Sequence, residues 1–257
     1  MLATSSGLCK FVSNARRRFL APPPPSADLR QWMTAVKNQD GSGLCNSCTA
    51  HAATATVEGT YNKKFNLTGA QKKEFDANRL FTEAGPPDQC LTSHWWPEKA
   101  LDYCKLTGLT EQTAGQDPFA TRTMISSYPQ LIDQNVVQTK LAMKRWIANN
   151  GPVTAVMLQY KDLAKFGNDW QTAHPANTMN PNVYTPGSEP DNLVGGHTVS
   201  IVGYHDNDGS LEPYWVCKNS WGSQWNGDGY VRIAQGQAGN HIGTCYIDVI
   251  DVRGVVI

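Results

Sequence analysis

Val36-Lys37-Asn38-Gln39-Asp40-Gly41-Ser42-Gly43-Leu44-Cys45-Asn46-Ser47-Cys48-Thr49-Ala50-His51 is the stretch on which the reading of this chain turns. It sets a glutamine ahead of two cysteines and then runs into the small-residue segment Ala52 to Glu58, which reads as helix. A cysteine on the first turn of a helix sits where a thiol ionises most readily. The unpaired N–H groups and the positive end of the helix dipole both favour the thiolate. Cys48 holds that place. Taken alone it would more often be a buried small hydrophobe, but the helix position and the glutamine upstream argue for a nucleophile.

Two further blocks lie far downstream. Gly195-Gly196-His197-Thr198-Val199-Ser200-Ile201-Val202-Gly203-Tyr204 supplies a histidine that could act as a base, and Lys218-Asn219-Ser220-Trp221-Gly222 supplies an amide that could orient it. Each has a plainer reading, a core strand histidine and a turn asparagine. The order Gln39, Cys48, His197, Asn219 resembles the papain-like cysteine peptidases, the family that includes the cathepsins, from about Asp28 to the C-terminus. The resemblance implies an α+β, two-lobed fold: a helical left lobe, an antiparallel barrel-like right lobe and an active site between them. It also implies hydrolysis of peptide bonds through a thioester. Cys48 would attack, His197 would carry the proton, and Asn219 would hold the imidazole. Gln39 and the Cys48 backbone N–H would form the oxyanion hole. Free cysteine has a pKa of about 8.5, and a histidine partner with a helix N-terminus brings it to roughly 3.5–7.5. Substrate contacts are expected from Trp96, Pro97, Gly196 and Trp221, with Trp221 also shielding the His197–Asn219 pair. No cofactor and no metal are expected. The implied partners are peptide or protein substrates and proteinaceous inhibitors of such peptidases, acting on a monomer.

The departures from the pattern are specific. Three extra residues separate Gln39 from Cys48, and Thr49 replaces the tryptophan that commonly follows the nucleophile. His51 stands where a core aromatic is usual, and Leu91 to Trp96 replace an Asn-Gly-Gly segment. The altered groove leaves room for a second class, an acyl- or peptidyl-transferase in which an amine replaces water, and for a third, an inactive peptide-binding homologue.

The chain has 257 residues, with 22 basic and 22 acidic side chains, so nothing points to nucleic acid or an anionic surface. No apolar run approaches the ~20 residues that span a bilayer. Seven cysteines suit an oxidising setting, whether secreted, periplasmic or lysosome-like, although several could be buried thiols. The resemblance implies a Cys45–Cys90 bridge. Cys217 and Cys245 fall in segments expected to be neighbouring strands, which leaves Cys9 and Cys104. Residues 1–27 hold no acidic residue before Pro25, a cluster Arg16-Arg17-Arg18, and Pro22 to Pro25. Their apolar core is too short for a secretory signal. A transit peptide, an inhibitory pro-segment on a stiff proline spacer, and a plain tail all stay open. In the inhibitory reading, Asn14 to Phe19 fold back over the cleft.

Residues 28–121 read as the helical lobe, with helices at about Ser47–Lys63, Gln71–Thr82 and Pro97–Leu106. Residues 122–257 read as the β-rich lobe. There Gln138–Asn149 is helical, and strands are expected at 153–158, 197–204, 213–218, 229–233 and 244–249. Gly167 to Gly187 is expected to be a surface loop. Asp206-Asn207-Asp208-Gly209 fits a hairpin turn better than a calcium loop, because the distal glutamate is missing. His94, His174, His205 and His241 lack metal-ligand spacing.

Overall fold

A computed structural model describes residues 21–42, 46–86, 95–115, 117–133, 135–173, 183–185, 193–206, 213–235 and 251–257. Five α-helices are α1 (Cys48–Lys64), α2 (Ala77–Ala84), α3 (Pro97–Leu106), α4 (Val136–Asn149) and α5 (Lys161–Ala173). The strands are β1 (Ser26–Asp28), β2 (Leu109–Thr110), β3 (Arg122–Thr123), β4 (Val153–Tyr160), β5 (Leu193–His205), β6 (Tyr214–Lys218), β7 (Tyr230–Ala234) and β8 (Asp251–Arg253). Six of them form one antiparallel sheet in the order β7-β6-β5-β4-β8, with β1 added to β5, while β2 and β3 make a small ribbon. The fold is α+β as expected. The sheet is open among the described residues, so the expected barrel does not close there.

Two cores flank the seam. One gathers Ala53, Val57, Phe75, Leu80, Phe81, Leu101 and Leu109 around the helices. The other packs Met143, Ile147, Met157, Val199, Ile201 and Trp215 against the sheet. Both ends of the chain cross over. Leu29 and Met33 lie in the sheet core, whereas Val255 and Ile257 pack with the helices.

Helix α1 runs between the two cores and is buried on nearly every face. Its small residues let it sit that close. Its threonines, which by propensity alone favour strand, meet hydroxyls on the sheet instead. Thr56 Oγ1 lies 2.9 Å from Ser200 Oγ and accepts from Thr154 Oγ1 at 2.8 Å. Thr49 Oγ1 lies 2.9 Å from Thr198 Oγ1 and donates to the Trp95 carbonyl at 2.6 Å. Thr49 therefore ties α1 to β5.

Two expected elements differ. The helix expected from Gln71 begins only at Ala77, because Asp76 caps it by accepting from Arg79 N at 3.0 Å. Gln71 itself closes a 3-10 turn from Gly69, and Phe75 bridges to Glu111 with its N donating to Glu58 Oε1 at 2.7 Å. The expected loop from Gly167 is helical through Ala173, the second half of α5. Gly167 faces Trp225, where an added Cβ would come within 2.2 Å of the ring. Cys104 and Cys217 are free, buried thiols. Cys45, Cys90, Cys9 and Cys245 lie outside the described residues, as do Leu91 to His94, the strand expected at 244–249, the turn Asn207 to Gly209, and Asn14 to Phe19.

Candidate active site

Cys48 opens α1 after Ser47, the N-cap, and the first backbone bond of the helix runs from His51 N to Ser47 O at 3.1 Å. The Cys48 N–H thus has no acceptor within the helix. His197 comes from β5, where it sits opposite Met157 of β4, and it is 2% exposed. Asn219 follows directly on β6.

The proton on the imidazole is fixed by a neighbour. The backbone N–H of Ser220 points at the Asn219 side chain at 2.9 Å. A backbone N–H can only donate, so that amide atom is the oxygen. The same Oδ1 lies 2.9 Å from His197 Nε2, which must therefore carry hydrogen and donate. Nδ1 is then the nitrogen available to Cys48. The ring stacks on Trp221, with centroids 5.0 Å apart and planes at 30°, and Trp221 meets Trp225 edge-on at 4.9 Å.

Burial by itself pushes the Cys48 thiol pKa up, but the hydrogen bond and charge of His197 outweigh it, aided by hydrogen bonds from Thr198, and the net shift is down. Burial likewise opposes the imidazolium. The hydrogen bonds to Cys48 and Asn219 and the thiolate charge win, and His197 moves up. The two shifts favour a thiolate–imidazolium pair.

Gln39 reaches the site through paired backbones. Gln39 N donates to Ser220 O at 2.8 Å, and Gly222 N donates to Lys37 O at 3.0 Å. The Ser220 hydroxyl donates to Gln39 Oε1 at 2.6 Å, which makes the amide nitrogen the donor end of that side chain. Ser220 thus orients both amides at the site, a role its place in the Lys-Asn-Ser-Trp block did not reveal.

Behind the site lies a buried charge cluster that sequence reasoning missed. Glu58 is 1% exposed. It receives Lys37 Nζ at 2.8 Å and the Thr34 hydroxyl at 2.5 Å. Thr34 in turn accepts from Lys218 Nζ at 3.1 Å. Burial favours the neutral acid, but the charges of Lys37 and Lys218 hold the Glu58 pKa below its ordinary value. Burial lowers Lys218 to about 8 against the pull of Glu58. No periodicity announces this cluster, because its members come from the loop before α1, from α1 itself and from β6.

The expected substrate contacts separate. Trp96 is 49% exposed beside the Trp95 carbonyl that Thr49 holds. Gly196 is exposed on β5 next to His197. Trp221 is half-buried. Pro97 is buried in the first turn of α3. Among the described residues no His, Cys, Asp or Glu group is arranged to hold a metal, and no helix is long and apolar enough to cross a membrane.

Residues 23–250 match the family model described as papain family cysteine protease. Cysteine proteinase B of Leishmania mexicana is 26% identical over 237 residues, covering 86% of this chain and 46% of that protein. Procathepsin L of Mus musculus is 26% identical over 232 residues, covering 86% of this chain and 63% of that protein. The chain thus spans between about half and under two thirds of the length of these relatives. In fold it is similar to the bromelain protease of Ananas comosus solved with the E64 inhibitor, at a TM-score of 0.64 and 22% identity, covering 91% of this chain and 99% of that one. With the model spanning nearly all of the described molecule, and with cysteine, histidine, asparagine and glutamine drawn to one seam, the chain belongs to the papain family of cysteine proteases.

Proposed function

We propose that this protein is a thiol peptidase that hydrolyses peptide bonds in peptide or protein substrates. The observation that carries the reading is the imidazole of His197, held at Nε2 by Asn219 and hydrogen-bonded to Cys48, which itself opens a helix. The Cys48 thiolate attacks the carbonyl carbon and forms a C–S bond, and the carbonyl oxygen becomes an oxyanion. The Cys48 N–H and the Gln39 amide nitrogen donate to that oxygen. The imidazolium gives its Nδ1 proton to the departing amine as the C–N bond breaks. Water then loses a proton to His197 and attacks the thioester. The C–S bond breaks, and the carboxylic acid leaves with the thiolate restored. Asn219 turns the ring so that one nitrogen faces sulfur throughout. Trp96 and Gly196 supply exposed surface for the substrate.

The test is incubation with a peptide library, wild type against Cys48→Ala, with product masses recorded with and without an added amine. Cleavage that needs Cys48 and incorporates water supports the reading. Cleavage at the same rate by Cys48→Ala overturns it, and products carrying the amine assign a transferase instead.

A further inference from the structure

Between α1 and β6, directly behind the catalytic pair, is a cavity of about 10 Å³, room for a single water molecule. His51 and Asn219 both line it, together with Lys37, Glu58, Lys218 and Ser220. Asn219 is 4% exposed, and its Nδ2 has no hydrogen-bond partner in the protein. Leaving such a donor unmet carries a penalty of about 1–3 kcal/mol, so a ligand with an acceptor is strongly favoured there. On the opposite side, His51 Nδ1 lies 3.0 Å from the Ser47 carbonyl. A carbonyl only accepts, so Nδ1 carries the hydrogen. Burial, reinforced by the Lys37 charge, keeps the His51 pKa below its ordinary value, and in the neutral ring Nε2 is an acceptor. Among the polar groups that line the cavity are thus an unmet donor, Asn219 Nδ2, and an acceptor, His51 Nε2, and a water molecule can accept from the first and donate to the second.

We propose that His51 is a positioning residue, which steadies the Asn219 amide through one water molecule held in this cavity. The proposal rests on the thiol-peptidase reading. Oδ1 of Asn219 is already held by Ser220 N and His197 Nε2. Anchoring Nδ2 as well stops the amide plane from swinging and keeps the imidazole aligned with the sulfur. An aromatic ring at position 51 would fill the space and supply no acceptor.

The experiment compares the full chain with His51→Phe, His51→Gln and Cys48→Ala in one peptide-cleavage assay. His51→Phe is expected to lose kcat by about fivefold to thirtyfold while KM stays within about twofold, the loss expected for one hydrogen bond to a buried group. His51→Gln, whose Oε1 can accept in place of Nε2, is expected to recover most of the rate. A high-resolution crystal structure of the wild type is expected to show one water bonded to both His51 Nε2 and Asn219 Nδ2. Wild-type kcat in His51→Phe, or equal losses in both variants, overturns the proposal, and so does an empty cavity in that map. Should wild type show no turnover that depends on Cys48, the peptidase reading falls instead, and the map alone decides the water site.

Discussion

At the scale of single residues, the ionisation of Cys48 is a contest between burial, which opposes the thiolate, and His197, which supports it. Removing the histidine leaves burial to win. His197→Ala is therefore expected to shift the pH dependence of Cys48 alkylation by iodoacetamide to higher pH, and peptide turnover should fall to that of Cys48→Ala. Asn219→Ala should lower turnover less, because it orients and makes no bond to substrate. An unchanged alkylation profile in His197→Ala would show that the pair is not coupled. Cys48, His197, Asn219 and Gln39 stood out in the sequence as candidates because each sits in a block of distinctive neighbours. The reason Asn219 presents oxygen to the ring was not, since it depends on the direction of a single backbone N–H, that of Ser220.

At the scale of elements, two features invite tests. Glu58 in α1 is the buried carboxylate that Lys37 Nζ bonds directly and that Lys218 reaches through Thr34, with Glu74 a second, more exposed carboxylate 3.6 Å from Lys37. Glu58→Gln removes the carboxylate that balances the buried Lys218 ammonium, while the partly exposed Lys37 keeps Glu74 at 3.6 Å, and it should cost about 3–5 kcal/mol of stability. Without the carboxylate the Lys218 pKa falls further below about 8. The unfolded chain keeps that proton up to the ordinary value of 10.5. Over this window the unfolded state binds more protons, so the variant should regain stability as pH rises from neutral toward 10.5. Urea unfolding across that range reads the effect, and a stability that falls with pH would contradict it. The second feature is Gly167 in α5. In an exposed helix, glycine to alanine is worth about 1 kcal/mol of stabilisation. Here the added Cβ would press into Trp225, and overpacking of about 1–3 kcal/mol should win. Gly167→Ala is expected to lower the melting temperature, and a rise would show that Trp225 gives way freely. Helix α3 was readable from Pro97 at its start and Gly108 beyond its end. Helix α5 was not, because the Asn-, Pro- and Thr-rich stretch after it masked Leu163, Phe166 and Gly167 on one face. The hydroxyl pairs that dock α1 were equally hidden, since partners such as Thr49 and Thr198 lie far apart in sequence.

At the scale of the whole molecule, the first described residues are sewn to the sheet at a definite place. β1 pairs with Gly203, Tyr204 and His205, the end of β5 remote from His197. Tyr204 Oη donates to Pro24 O at 2.7 Å, and Asp206 N donates to Pro25 O at 2.8 Å. The prolines are thus a fixed margin of the sheet and not a free arm. From His205 back to His197 the strand covers about 26 Å at ~3.3 Å per residue. A chain leaving Pro24 at full extension gains the same ~3.3 Å per residue, so about ten residues are used in reaching the level of His197, since Ser26 is the residue opposite His205. A segment upstream of Pro24 that covered the cleft would do so with residues at least that far before it. If that segment restrains the enzyme, removing residues 1–15 should raise the cleavage rate of a protein substrate as much as removing residues 1–20. Identical rates for the full chain and both shortened forms would exclude such restraint. The stitched prolines act as a ruler. A cut upstream of Pro24 would leave every described strand of the sheet in place, so any release of the segment before it and the stability of the sheet are decided at separate points of the chain.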